Sequence, residues 1–315
     1  MTKKIAFLFP GQGSQSVGMG KDLYDNYESA KKVFDTADEV LGKSITNICF
    51  EGPEEDLKQT VNTQPSIVTM SIAALEAMKS ELDITPSYTA GHSLGEYCAM
   101  YAAGVMSLDD TLKLIQKRAD LMSETKGGSM AAVLNAPEGA VEKALEEASS
   151  VGYVDVANYN SPVQVVITGD SDAVAKASEL LKAAGVRKVV PLAVSGAFHS
   201  KFMENAGKEF EGFVSEFNLS DAKLPVVTNV DAEPTTMASE FKTKMPRQIY
   251  SSVHWTQTIE KMISEGVDTF IEIGPGKVLA GLNRKISSEI TTYNIYDKES
   301  LESTVSALKE QLVGV

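Results

Sequence analysis

Gly91-His92-Ser93-Leu94-Gly95 decides the reading of this chain. It follows Ser87-Tyr88-Thr89-Ala90, a short β-compatible run. It precedes Glu96-Tyr97-Cys98-Ala99-Met100-Tyr101-Ala102-Ala103, which is rich in helix formers and stops at Gly104. Strand, Gly-x-Ser-x-Gly, helix is the context of a nucleophile elbow. The serine sits on a tight, strained turn, so the residues two positions away must be small, and glycine also tolerates unusual φ. The helix N-terminus supplies free N–H groups and partial positive charge for a developing oxyanion. A plain glycine-bounded turn with an N-cap serine has the same local spelling, so the rest of the chain must arbitrate.

Outward from the elbow, the 315 residues are 43% hydrophobic, 23% charged and 7% aromatic. This composition suits a globular chain of about two lobes. No apolar run approaches the length that spans a bilayer. Met1-Thr2-Lys3-Lys4 leads into a short apolar run and then Pro10-Gly11-Gln12-Gly13, too short for a signal segment, so the sequence reads as cytoplasmic. A net charge of −14 argues against nucleic acid as partner. Cys49 and Cys98 lie among apolar neighbours and read as buried hydrophobes. His92, His199 and His254 show no metal spacing, and no metal is expected.

Ile5 to Phe9 is a continuous apolar run and reads as a buried first strand. The glycine-rich loop after it lacks both nucleotide-binding spacings. In a parallel sheet it would meet the Ser93 turn at the carboxyl ends of the strands. Helical patterns follow over Asp22 to Leu41, from Gln64-Pro65-Ser66 to about Met78, and from a Ser107 cap through Leu121-Met122. Arg118 lies on the last of these, and from position alone it reads as a solvated surface residue. From Lys126 to Ser195 the order becomes β-α-β-β-α-β, the ferredoxin-like pattern. The expected fold is therefore α/β. Residues 1–125 and 196–315 form a large, parallel-sheet lobe, and 126–195 form an inserted ferredoxin-like lobe, with a ligand cleft between them. Beyond the insert come a helix over Lys201 to Phe217, a strand over Val226 to Val230 and a loop from Gln248 to Trp255.

A serine hydroxyl needs a base. His92 is adjacent, and successive side chains of an elbow diverge. His254 reads as structural. His199, in a loop at the lobe boundary and after the serine in chain order, is the expected base. No aspartate completes a triad. A neutral carbonyl near Gln248 can orient the imidazole instead.

Seven separated motifs then coincide. They are Phe9-Pro10-Gly11-Gln12-Gly13-Ser14-Gln15, Thr63-Gln64-Pro65, Gly91-His92-Ser93-Leu94-Gly95-Glu96, Gln116-Lys117-Arg118, Asn160-Ser161-Pro162-Val163-Gln164, Gly196-Ala197-Phe198-His199 and Glu272-Ile273-Gly274-Pro275-Gly276. Together they resemble the malonyl-CoA:acyl carrier protein transacylases along nearly the whole chain. The resemblance implies an α/β-hydrolase-like lobe with a ferredoxin-like insert, Ser93 as acyl acceptor and His199 as general base. It further implies Arg118 as the grip on the malonyl carboxylate, Gln12 and Leu94 as backbone oxyanion donors, and Gln248 as the residue orienting the histidine. Asn160 and Gln64 become supporting residues. Malonyl-CoA and an acyl carrier protein are the implied partners, with CoA and phosphopantetheine entering as substrates and no cofactor. Gly196 departs from the family's polyketide-synthase branch, where a second histidine is common. An acidic carrier needs a basic docking patch; Arg187-Lys188 and Lys277, Arg284 and Lys285 are the candidates. A trans-acting polyketide acyltransferase, a serine hydrolase or thioesterase, and a non-catalytic carrier-binding protein are the competing expectations.

Overall fold

An apolar run such as Ile5–Phe9 must be covered on both faces, and it lies in the middle of the larger of two sheets. The computed structural model describes residues 4–194 and 196–313. Met1, Thr2 and Lys3, which precede the expected first strand, and Ser195, where the insert was expected to end, lie outside them. In chain order the strands are β1 (Ile5–Phe9), β2 (Tyr88–Gly91), β3 (Ser129–Leu134), β4 (Val154–Ser161) and β5 (Gln164–Gly169). They continue with β6 (Lys188–Pro191), β7 (Val226–Val227), β8 (Pro234–Thr235), β9 (Thr269–Ile273) and β10 (Thr291–Ile295).

The large sheet runs β10-β9-β1-β2-β7-β8, with every pair parallel except β7 with β8. Its period of two is visible in the packing. Phe7 and Phe9 enter the main core on one face, beside Ile271 and Ile273. Ala6 and Leu8 face a second core with Trp255 and Phe270. The small sheet runs β4-β5-β3-β6, all antiparallel. Helices Ala140–Ala148 and Ser171–Ala183 bury Val141, Ala144, Val174 and Leu181 against one of its faces.

Several segments differ from the sequence reading. The helix over Asp22 to Leu41 is two, Lys21–Asn26 and Glu28–Leu41, because Tyr27 turns extended (φ −127°) and re-aims the second so that Ala30, Val33, Phe34 and Ala37 are buried. A helix over Ile45–Glu51, capped by Ser44, was not anticipated. The helix expected to open at Gln64 starts at Thr60 and carries Pro65 inside, ending at Glu81. A proline there removes the hydrogen bond to the carbonyl four residues back, that of Val61. That carbonyl accepts instead from Lys43 Nζ at 3.0 Å and Gln116 Nε2 at 3.3 Å. The loop expected from Gln248 to Trp255 is shorter, 251–254, because a helix, Ala238–Tyr250, with Pro246 inside it, extends past Gln248 and the next helix opens at Trp255. The stretch after His199 starts as a 3-10 turn, Lys201–Met203, before the helix Glu204–Ser215. The strand expected to reach Val230 stops at Val227.

Candidate active site

Both loops that the sequence places at strand ends do meet. β1 and β2 are neighbours, with Phe9 opposite Gly91, so Gln12 and the Ser93 turn emerge side by side. Ser93 has φ 51°, a left-handed conformation that a non-glycine residue holds only when its surroundings enforce it. The flanking glycines show how close the enforcement is. A Cβ on Gly91 would overlap the Gly95 carbonyl, and one on Gly95 would overlap the Phe9 carbonyl oxygen. The first turn of the Gly95–Ala102 helix thus rests directly on the end of β1.

Ser93 Oγ lies 2.8 Å from His199 Nε2. His199, also left-handed at φ 54°, is 6% exposed. Its Nδ1 is 2.9 Å from the Gln248 carbonyl and 3.1 Å from the Ser251 carbonyl. Two acceptors at Nδ1 place the proton there and leave the Nε2 lone pair for the serine hydroxyl. Among the described residues no carboxylate bonds the imidazole. The Gln248 carbonyl is available because Gln248 occupies the last turn of its helix, where carbonyls have no intrahelical partner. Burial, and next the Arg118 charge, push the imidazole down to about 3, so it is neutral near pH 7.

Arg118 is the largest correction to the positional reading. It is 1% exposed, on the inner stripe of the Leu108–Glu124 helix. Its Nη1 donates to Gln64 Oε1 at 2.6 Å, and its Nη2 donates to Gln248 Oε1 at 2.9 Å and Ser93 Oγ at 3.1 Å. All these partners are neutral, and Nε has none among the described residues. Burial lowers the Arg118 pKa, yet an arginine remains charged in a protein. A buried cation without a bonded anion is costly, and here it faces the reactive hydroxyl.

A cavity of about 110 Å³ joins Ser93, His199 and Arg118 to Gln12, Gln64, Leu94, Asn158, Met122, Met130 and Phe198. It is far below the size of drug-sized ligand pockets, which suits a short acyl group. The backbone N–H groups of Gln12 and Leu94 make no hydrogen bond among the described residues. A larger cavity, about 510 Å³, lies beside the small sheet near Glu142, Asp155, Tyr159 and Thr256 and shares no lining residue with this one. It lacks a serine–histidine pair within bonding reach, so the chemistry is assigned to the smaller space. Asn160 does not line the smaller cavity; its Oδ1 is 2.8 Å from His92 Nε2. His254 precedes the Trp255–Ser264 helix and stacks on Tyr159 with centroids 5.3 Å apart.

A family profile described as acyl transferase domain matches residues 6–305. The chain belongs to the acyl transferase family. This acyl transferase is 45% identical over 312 residues to the malonyl CoA-acyl carrier protein transacylase of Bacillus subtilis (strain 168), covering 98% of each chain. It resembles a crystal structure of an acyl carrier protein S-malonyltransferase from Vibrio cholerae, with TM-score 0.93, 39% identity, and coverage of 96% of this chain and 100% of that one. It also resembles a type II PKS acyl-carrier protein in complex with its malonyl-transacylase, with TM-score 0.94, 34% identity, and coverage of 97% and 100%.

Three groups of this acyl transferase's site escape a sequence reading. The Ser251 carbonyl has no side-chain signal. Asn229 bonds the backbone of Ser93 and Gly91 across 136 and 138 residues of sequence. Glu96, 1% exposed, accepts the Asn229 N–H, and burial raises its carboxyl to about 7. Only Glu96 left a local sign, a carboxylate in an otherwise apolar first turn.

Proposed function

We propose that the chain transfers a malonyl group from malonyl-CoA to the phosphopantetheine thiol of an acyl carrier protein, through a malonyl ester on Ser93. The observation that carries this reading is the buried Arg118 guanidinium, with no bonded anion among the described residues and 3.1 Å from Ser93 Oγ. A hydrolase of neutral acyl groups has no use for it. A substrate with a free carboxylate supplies the missing anion in two-pronged geometry.

In the first half-reaction Ser93 Oγ attacks the thioester carbonyl while His199 Nε2 takes its proton. The Gln12 and Leu94 N–H groups receive the oxyanion. The C–S bond breaks, and the proton leaves with the CoA sulfur. In the second half, His199 takes the proton of the carrier thiol, the sulfur attacks the ester, and Ser93 regains the proton as the malonyl thioester departs. This is ping-pong chemistry. Asn160 and Gln64 support it at one remove: Asn160 through His92, and Gln64 by holding Arg118. The proposal needs no cofactor beyond the two thiol-bearing substrates.

Intact-protein mass after mixing with malonyl-CoA is expected to rise by one malonyl group, to fall again on adding holo-acyl carrier protein, and to stay constant for Ser93→Ala. Free malonate without any adduct would instead point to a hydrolase. The likeness to the polyketide carrier complex favours a second reading, service to a polyketide carrier. Transfer rates to carriers of both kinds separate the two.

Among the described residues no helix is long and apolar enough to cross a membrane, and the reading places the enzyme in the cytoplasm. Arg187, Lys188, Lys277, Arg284 and Lys285 are exposed, and they are the surface proposed for an acidic carrier. Reversing the charge of Arg187 and Lys188 is expected to raise the carrier KM several-fold with the malonyl-CoA KM unchanged. An unaltered carrier KM would remove those two residues from the surface.

A further inference from the structure

We infer that Asn229 is a positioning residue that extends the parallel sheet across the nucleophile turn, its side-chain amide standing in for its own main chain, with Glu96 holding it in place. The inference rests on the transacylase reading above and concerns the same serine.

β2 and β7 pair in register, Thr89 with Val226 and Ala90 with Val227, and the Thr89 N–H donates to the Pro225 carbonyl. Continued by two residues, this ladder would have the Asn229 N–H donate to the Gly91 carbonyl and the Ser93 N–H donate to the Asn229 carbonyl. Neither bond forms, because the chain after Val227 leaves the sheet. Asn229 Nδ2 donates to the Gly91 carbonyl at 2.7 Å, and Asn229 Oδ1 accepts from the Ser93 N–H at 2.8 Å. The side chain replaces the main chain group for group. The displaced main-chain groups are also satisfied: the Asn229 N–H donates to Glu96 Oε2 at 2.6 Å, and its carbonyl accepts from the His254 N–H at 3.0 Å.

The substitution has a physical purpose. A regular ladder would hold residue 93 in extended geometry, whereas the turn needs φ 51° there. A side-chain amide reaches beyond the sheet's edge, so the left-handed turn keeps both of its buried polar groups paired. Gln248 Nε2 closes the other side by donating to the Ser93 carbonyl at 2.7 Å. The Ser93 main chain is thus fixed at N–H and C=O, and with it the line from Oγ to His199.

The test is single-turnover malonylation of Ser93 at varied malonyl-CoA, followed by rapid-quench intact mass. Asn229→Ala is expected to lower the saturating acylation rate by more than about tenfold, as a small misplacement of a nucleophile does, with the half-saturating malonyl-CoA concentration unchanged. Glu96→Ala is expected to lower the rate in the same sense. Glu96→Gln, whose Oε1 still accepts the Asn229 N–H, is expected to restore it. A smaller loss in Asn229→Ala, or equal changes in rate and half-saturation, would overturn the inference. Should Asn229→Ala not fold, the glutamate pair decides: equal rates in Glu96→Ala and Glu96→Gln overturn it. A wild-type protein that forms no adduct would sink the transacylase reading, a distinguishable failure.

Discussion

Arg118→Ala is expected to reduce acylation by malonyl-CoA by two to three orders of magnitude and to leave acylation by acetyl-CoA the same or faster. At ~4 Å and an effective dielectric near 20, a carboxylate–guanidinium pair is worth about 4 kcal/mol before desolvation. At about 1.4 kcal/mol per tenfold, that bounds the malonyl loss near a thousandfold. Acetyl gains nothing from the guanidinium, so it has little to lose. In the native site a neutral acyl group leaves Arg118 with only the amide oxygens of Gln64 and Gln248 and the serine hydroxyl. Arg118→Lys keeps a charge but cannot donate from two nitrogens to Gln64 and Gln248 together, so it is expected to recover only part of the rate. The measurement is the acylation rate of Ser93 with each thioester, beside a melting curve for every variant. Parallel losses for malonyl and acetyl, with the melting temperature unchanged, would show that Arg118 serves the serine and not the carboxylate.

The second large effect belongs to His199. His199→Ala is expected to slow both half-reactions by about 10²- to 10⁴-fold, the usual worth of a general base. The wild-type pH profile carries more information than the deletion. The base works only when neutral, so kcat/KM falls as pH drops through its pKa in the free enzyme. Burial and Arg118 hold that pKa down to about 3. The acid limb is therefore expected far below the ordinary histidine value near 6.5, with kcat/KM level from pH 8 to about 4. A bound malonyl carboxylate cancels part of the Arg118 charge, so the limb of kcat is expected to lie above that of kcat/KM. An acid limb at 6.5 in kcat/KM would contradict the buried, carbonyl-oriented imidazole. The same depression links to folding. A histidine that is harder to protonate when folded contributes stability above pH 6.5, and this contribution is lost as pH falls from there toward 3.

The sequence is legible where the determinants are local. Two glycines flanking Ser93, an apolar strand running into a glycine-rich loop, and the switch to β-α-β-β-α-β order are all properties of short windows. What stays hidden is set by distant partners. Pro65 reads as a helix opener, yet its helix begins at Thr60, because Lys43 and Gln116 from two other helices' surroundings satisfy the Val61 carbonyl. Pro246 likewise makes Gln248 look like loop, while the structure keeps a helix there and uses its terminal carbonyl. Arg118 reads as solvated because charge outweighs its place on the inner stripe. Only the fold shows that it is enclosed by Gln64, Gln248 and Ser93. Asn229 has no local signature, since its significance lies in the ladder it completes from more than a hundred residues away.

The small lobe is joined to the large one by more than its two chain crossings. Residues 251–256 run beside β4 almost as an extra strand. The Tyr159 N–H donates to the Val253 carbonyl at 2.9 Å and the Val253 N–H to the Ala157 carbonyl at 2.8 Å, with Ser252 Oγ on the Val156 carbonyl and Thr256 Oγ1 on the Tyr159 carbonyl. The same segment offers the Ser251 carbonyl to His199. For anyone building chimaeras, a lobe exchange between relatives has a third seam. Transplanting the insert without residues 251–256 would mismatch the ladder that carries the histidine's acceptor, and a graft meant to change acyl choice would return an enzyme with a misaligned base.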